Sequence, residues 1–138
     1  MSNNKLIGRD QMDREQEIAY AYGLENETIP IKLYNFADFD FIMIKDGKAV
    51  ESLEVKERSN KINDFKETMV PLRKVVRALE IIRGGGVAKI LIKWTDCTGI
   101  LDFSVPFDKI GLGGRQDRGV DERKPYAFYS VLKFKRLE

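Results

Sequence analysis

The sequence has no histidine and only one cysteine, Cys97, and these two scarcities exclude whole classes of chemistry. Without His there is no Ser-His-Asp or Cys-His nucleophile pair, and the commonest zinc ligand and general base is missing. A single Cys leaves no internal disulfide and no multi-cysteine zinc site. Any catalysis must therefore rest on carboxylates, Lys, Tyr, hydroxyls or a hard, oxygen-liking cation such as Mg²⁺ or Mn²⁺. Neither sign of charge is in excess: 24 Lys and Arg face 22 Asp and Glu, a net charge of +2. Total charge thus does not mark a nucleic-acid binder, and only its distribution can. No apolar run approaches membrane-spanning length, and Met1-Ser2-Asn3-Asn4-Lys5 lacks the apolar stretch of a signal peptide, so a soluble, cytoplasmic protein is expected. With 43% hydrophobic and 33% charged residues over 138 positions, the chain suits one globular domain with one core, without internal repeats or low-complexity segments.

The most informative stretch is residues 38 to 56. Phe41-Ile42-Met43-Ile44 is a short apolar run, Asp46-Gly47 is a turn signal, and Ala49 to Lys56 resumes strand composition, which predicts a β-hairpin. On its second strand the period of two sets Leu53 and Val55 on one face and Glu54 and Lys56 on the other. With Asp40 brought alongside, two carboxylates and an ammonium converge at one sheet edge, a site for Mg²⁺ with a Lys beside it. Register decides this. A plain two-residue turn at Asp46-Gly47 sets Asp40 opposite Leu53, on the wrong face; pairing Asp40 with Glu54 requires a longer loop or a bulge.

Around the hairpin, residues 10 to 23 predict a helix with Met12, Ile18, Ala19 and Tyr22 as its apolar stripe and Gly23 as its stop. Glu15 falls within that stripe, and an acid aimed at a core needs a partner; Glu17 lies on the polar side. Residues 29 to 34 predict a short edge strand containing Pro30. A second helix is expected from about Glu67 or Pro71 to Arg83, burying Leu72, Val75, Val76, Leu79 and Ile82 and ending at Gly84-Gly85-Gly86. That glycine run follows a helix and lacks the Lys and Ser/Thr of a phosphate-binding loop, so it is a stop signal. Val87 to Trp94 and Gly99 to Val105 predict a second hairpin, residues 106 to 125 a long loop without periodicity, and Tyr126 to Lys135 a closing strand.

The order helix, hairpin, helix, two strands, with an acid on the first helix and Asp then Glu-x-Lys on the hairpin, resembles the PD-(D/E)XK nuclease superfamily. Within it the chain is most similar to the small Holliday-junction resolvases: Glu54-Val55-Lys56 is followed by a basic helix, a glycine stop and an apolar strand ending at Trp94. The resemblance covers about residues 10 to 105. It implies an α/β restriction-endonuclease-like fold of α+β mixed type, a mixed sheet flanked by helices in the order α-β-β-α-β-β plus a C-terminal strand, forming a single nuclease domain over residues 1–138. Matched by position, Asp40 is the motif Asp, Glu54 the second metal-binding acid, Lys56 the catalytic Lys and Glu15 the helix acid; Val55 supplies a metal-ligating carbonyl. The residue before Asp40 is Phe39 where the signature has Pro, and Asp38 is a rival for the Asp position.

The resemblance further implies a Mg²⁺- or Mn²⁺-dependent endonuclease acting on Holliday junctions or other branched DNA in recombination, as a homodimer or higher homo-oligomer. The alternatives are a site-specific enzyme of homing or restriction type, or a non-catalytic nucleic-acid-binding subunit keeping the fold. Lys61, Lys66, Arg73, Lys74, Arg77, Arg115, Arg118, Arg123 and Lys124 are the candidates for phosphate contacts.

Overall fold

The computed structural model describes residues 7–33, 38–113 and 123–137, with side chains from Arg14 onward. Helix α1 (Ile7–Asn26) leads into strands β1 (Ile29–Lys32), β2 (Phe41–Lys45) and β3 (Lys48–Glu57). Strand β4 (Glu67–Pro71) and helix α2 (Leu72–Arg83) follow, then β5 (Ala88–Lys93), β6 (Thr98–Asp102), β7 (Lys109–Gly113), β8 (Lys124–Ser130) and β9 (Lys135–Leu137). A six-stranded mixed sheet has the order β1-β2-β3-β5-β6-β9, and a three-stranded sheet the order β4-β8-β7. Among the described strands only β3 and β5 pair in parallel, because the chain between them crosses over through β4 and α2. No described helix is long and apolar enough to cross a membrane.

The large sheet is buried on both faces, as expected around a parallel pair. On one face Ala19 and Tyr22 of α1 pack with Phe41, Met43, Leu53, Val55, Leu91 and Ile100. On the other, Val75 and Ala78 of α2 and Val70, Ala127 and Tyr129 of the small sheet pack on Ile90, Ile92 and Leu101. Polar contacts pin α1 in place: the Tyr22 hydroxyl donates to Glu51 Oε2 (2.7 Å), and Lys89 lies 3.1 Å from the same carboxylate.

The hairpin forms with a two-residue turn in which Asp46 (φ 53°) and Gly47 (φ 78°) both take the left-handed conformation that matches strand twist. Lys45 pairs with Lys48 next to the turn and Ile44 with Ala49 after it, but Met43 pairs with Glu51, so Val50 is an extra residue on β3. This bulge shifts the register, and Phe41 pairs with Leu53. One step further, Asp40 comes opposite Glu54, on the face where α2 lies.

Four expectations are corrected. Residues 67 to 71 form β4, paired with β8, so of the two starts expected for the second helix Glu67 fails and Pro71, which caps α2, holds. The buried face of α2 is Val75 and Ala78, flanked by half-buried Leu72, Ile81 and Ile82, while Val76 and Leu79 are exposed. Part of the expected 106–125 loop is β7, whose Gly111 and Gly113 leave room for the Phe128 and Tyr126 rings to lie over the backbone. The closing strand is broken: Ser130 accepts the Leu132 N–H (3.2 Å), starts a 3₁₀ turn over Val131–Lys133, and passes the chain from the small sheet to β9 at the edge of the large one. Core structure therefore extends past residue 105 to Leu137.

Candidate active site

Glu54 is a carboxylate buried where the strand pattern wants an apolar side chain, with 3% of its surface exposed. It lies on β3 with β2 on one side and β5 on the other, and the bulge brings Asp40 across from it. Burial pushes the Glu54 carboxyl above its ordinary value, and the negative charge of Asp40 pushes it further; Lys74 and Lys56 pull the other way. Lys56, two residues along on the same face, stands 3.6 Å from Glu54 Oε2 and is partly exposed.

Asp40 is held from two sides. Its carbonyl accepts the Leu33 N–H (2.8 Å), and its Oδ2 accepts the Val55 N–H (3.0 Å), the donor left over where β2 ends. In the parallel ladder Ser52 and Arg58 donate toward β5, so by alternation the N–H and C=O of Val55 face the β2 side, toward Asp40. Lys32 approaches Asp40 Oδ1 at 3.9 Å and lies over the Phe41 ring. The rival Asp38 has another role: its carboxylate pairs with Arg77 of α2 (3.1 Å), and its carbonyl accepts from Lys74.

Lys74 is the residue that the pattern misassigned. Expected on the surface as a phosphate contact, its side chain is 12% exposed and its ammonium sits 3.0 Å from Glu54 Oε1. It is also over the Phe39 ring. The rotated buried face of α2 is the reason, since it brings position 74 to the border of the sheet contact. The helix wheel centred on Val76 and Leu79 turned it to solvent. The signal available was the need of a buried Glu54 for a cation.

Glu15 is half-buried on α1, which packs on the opposite sheet face, and its neighbour Arg14 reaches Glu57 at the end of β3 (2.9 Å). Among the described residues no three acids are gathered closely enough to hold a metal together, so the structure does not bring Glu15 to Asp40 and Glu54. The residues at hand nevertheless suit a hard divalent cation. Asp40, Glu54 and the Val55 carbonyl are all oxygen donors, and such cations keep several waters beside one or two carboxylates. Glu54 Oε1 is buried with no properly angled hydrogen-bond donor, even with Lys74 3.0 Å away.

The profile of the family described as "Phage putative PDDEXK endonuclease" matches residues 9–136. The chain belongs to this family. No curated protein sequence matches the chain. Among solved structures, Hjc from Archaeoglobus fulgidus, a Holliday junction resolvase from an archaeal hyperthermophile, superposes with a TM-score of 0.55 at 12% identity, covering 86% of this chain and 87% of that one. That likeness is one of fold, and it places this PDDEXK endonuclease on the resolvase-like, restriction-endonuclease-like scaffold.

The remaining basic candidates divide. Lys61, Lys66 and Arg73 are exposed, and Lys124 is exposed at the start of β8. Arg77 is tied to Asp38 and to Glu80 (3.3 Å). Arg123 has a partner of its own, and Arg115 and Arg118 lie outside the described residues. Arg58, half-buried beside Lys56 at the end of β3, was missed because Glu57-Arg58 looked like a surface charge pair.

The raised Glu54 carboxyl gives a pH dependence of known sign. The folded state holds this proton more tightly than the unfolded chain, so its contribution is complete below the ordinary carboxylate value and is lost as pH rises through the raised one. Urea melts in EDTA should therefore show the protein losing stability across that window relative to Glu54→Gln. Identical slopes for the two proteins would mean that Glu54 is not desolvated as described.

Proposed function

We propose that this endonuclease is a Mg²⁺- or Mn²⁺-dependent hydrolase of DNA phosphodiester bonds, acting at Holliday junctions or other branched DNA. The observation that carries the reading is the bulged hairpin, which sets a buried Glu54 beside Asp40 with Lys56 on the same face. Asp40, Glu54 and the Val55 carbonyl would hold the cation, without Glu15. When bound, the cation lowers the pKa of a coordinated water and offsets charge building on the scissile phosphate. Lys56 presents an ammonium at the open side of the acids, where it can orient the attacking water or stabilise charge on the phosphoryl oxygens. Lys32 and the Val55 N–H fix Asp40, so the carboxylate need not reorganise as charge develops.

Lys61, Lys66, Arg73 and Lys124 supply exposed charge for backbone contacts, which give salt-dependent affinity without sequence information. One site cuts one strand, so a paired cut across a branch calls for a symmetric dimer. Labelled four-way junction, fork, flap and linear duplex DNA, incubated with Mg²⁺ and then with EDTA, test the reading. Cleavage of branched substrates that stops in EDTA is expected. Equal cleavage in EDTA would overturn the metal, and preference for linear duplex would overturn the substrate.

A further inference from the structure

A second feature adjoins the acids. Beyond Lys56, a groove of about 780 Å³ opens between the two sheets, lined by β3, the 58–69 segment, Trp94 and β8. That size is within the roughly 300–1,000 Å³ of sites that take a compact organic ligand. Its walls combine two chemistries. Phe65 is 64% exposed, an unusual state for a large aromatic, and half-buried Tyr126 and Phe128 face the same space. Lys56, Arg58 and Lys66 bring three cations, whereas its acid, Glu67, is within 3.4 Å of Lys109. The wall is preformed: the Ile62 N–H donates to Asp96 (3.0 Å) and the Thr95 N–H to the Asn60 carbonyl (3.1 Å), fastening the 60–62 segment to the β5–β6 turn.

Aromatic faces beside cations suit a polymer with π-faces on an anionic backbone. In a duplex the base faces are stacked on one another and hidden, so only unpaired nucleotides can use Phe65. We propose that this groove holds unpaired nucleotides next to the scissile phosphate, with a base stacked on Phe65 and the backbone on Arg58 and Lys66. The preferred substrates are then branched DNAs that offer unpaired nucleotides at the branch, such as forks and flaps, ahead of linear duplex. This rests on the nuclease reading for the identity of the polymer, and it uses Lys56 as the point where groove and acids meet.

The test is fluorescence anisotropy in EDTA, so that nothing is cut, with a single-stranded oligonucleotide and a blunt duplex as separate probes. Phe65→Ala should weaken single-strand binding about tenfold, the scale of one lost base stack, and change duplex binding less than twofold. Phe65→Trp should restore it. A 2-aminopurine in the strand should be quenched by the parent and not by Phe65→Ala. Equal effects on both probes, or none on either, overturn the groove, as does a loss of dimer on sedimentation with Phe65→Ala, which would make the occupant a second copy of the chain. If the parent cleaves no DNA with Mg²⁺ but Phe65→Ala still loses single-strand affinity, the nuclease reading fails and the groove stands. Normal Mg²⁺-dependent cleavage with Phe65→Ala binding unchanged overturns the groove alone.

Discussion

Asp40→Asn and Glu54→Gln are each expected to lower Mg²⁺-dependent cleavage about a thousandfold, the upper end for removing one preorganised charged group from a reaction centre. Both changes keep shape and delete charge, so the loss should not come from unfolding. Glu54 is the more exposing test. It is buried and its carboxyl is held up by desolvation and by Asp40, with Lys74 offsetting the two neighbouring acids. A divalent cation relieves that repulsion, so Mg²⁺ should raise the thermal stability of the parent in a concentration-dependent way. The double variant should be little slower than either single one, because acids that hold one ion act as a unit. Calorimetry with Mg²⁺ or Mn²⁺ supplies a reading independent of activity. Saturable binding that survives Asp40→Asn with Glu54→Gln would mean that the ion lies elsewhere.

How much of this was legible in the chain can be judged residue by residue. The hairpin was, since Asp46-Gly47 punctuates two strand-like runs and the period of two assigns Glu54 and Lys56 to one face. The need for an extra residue was legible too, because a plain turn misplaces Asp40. Its location at Val50 was not: nothing distinguishes that Val from its strand neighbours, and the bulge is set by how Leu53 and Val55 meet Phe41, Leu91 and α1. The same limit explains β4. Glu67 to Pro71 adjoins a helix and shares its composition, and only pairing with β8 makes it a strand. In β7 two glycines erase any strand signal, and the aromatic rings of β8 that cover them are distant in sequence. Alternation carried Tyr126 to Lys135 through Ser130 because period cannot register a change of sheet.

The site was legible to the extent that its residues share one hairpin. Asp40, Glu54, Val55 and Lys56 are brought together by local pairing, whereas Lys74 arrives from α2 through tertiary packing. On a helical wheel, Val76 and Leu79 outweigh Ala78, and an Ala gives little sign of belonging to the buried face. In the fold Ala78 is fully buried, the other two are exposed, and Lys74 follows the rotation inward. Its ammonium thus stands beside Glu54 where a cation is wanted.

Lys56 and Lys74 contact the same carboxylate, and replacing each by Met should separate their roles. Lys56 is partly exposed and 3.6 Å from Glu54 Oε2, so its loss should cost the fold little. Its charge matters most when the phosphate becomes more negative, and Lys56→Met should slow single-turnover cleavage about a hundredfold while leaving Mg²⁺ affinity equal or better. Lys74 is the buried partner, 3.0 Å from Oε1 and also bonded to the Asp38 carbonyl. Removing one member of a buried pair leaves the other charge uncompensated, a loss of about 3–5 kcal/mol. Lys74→Met should therefore be markedly less stable in EDTA, should recover as pH falls and Glu54 takes up a proton, and should recover again in Mg²⁺. Urea melts in EDTA and in Mg²⁺, run beside the cleavage assay, measure both halves. If Lys56→Met cuts at the parent rate and Lys74→Met stays stable but does not cut, the transition-state cation is Lys74, and the lysine two residues after Glu54 is a surface charge.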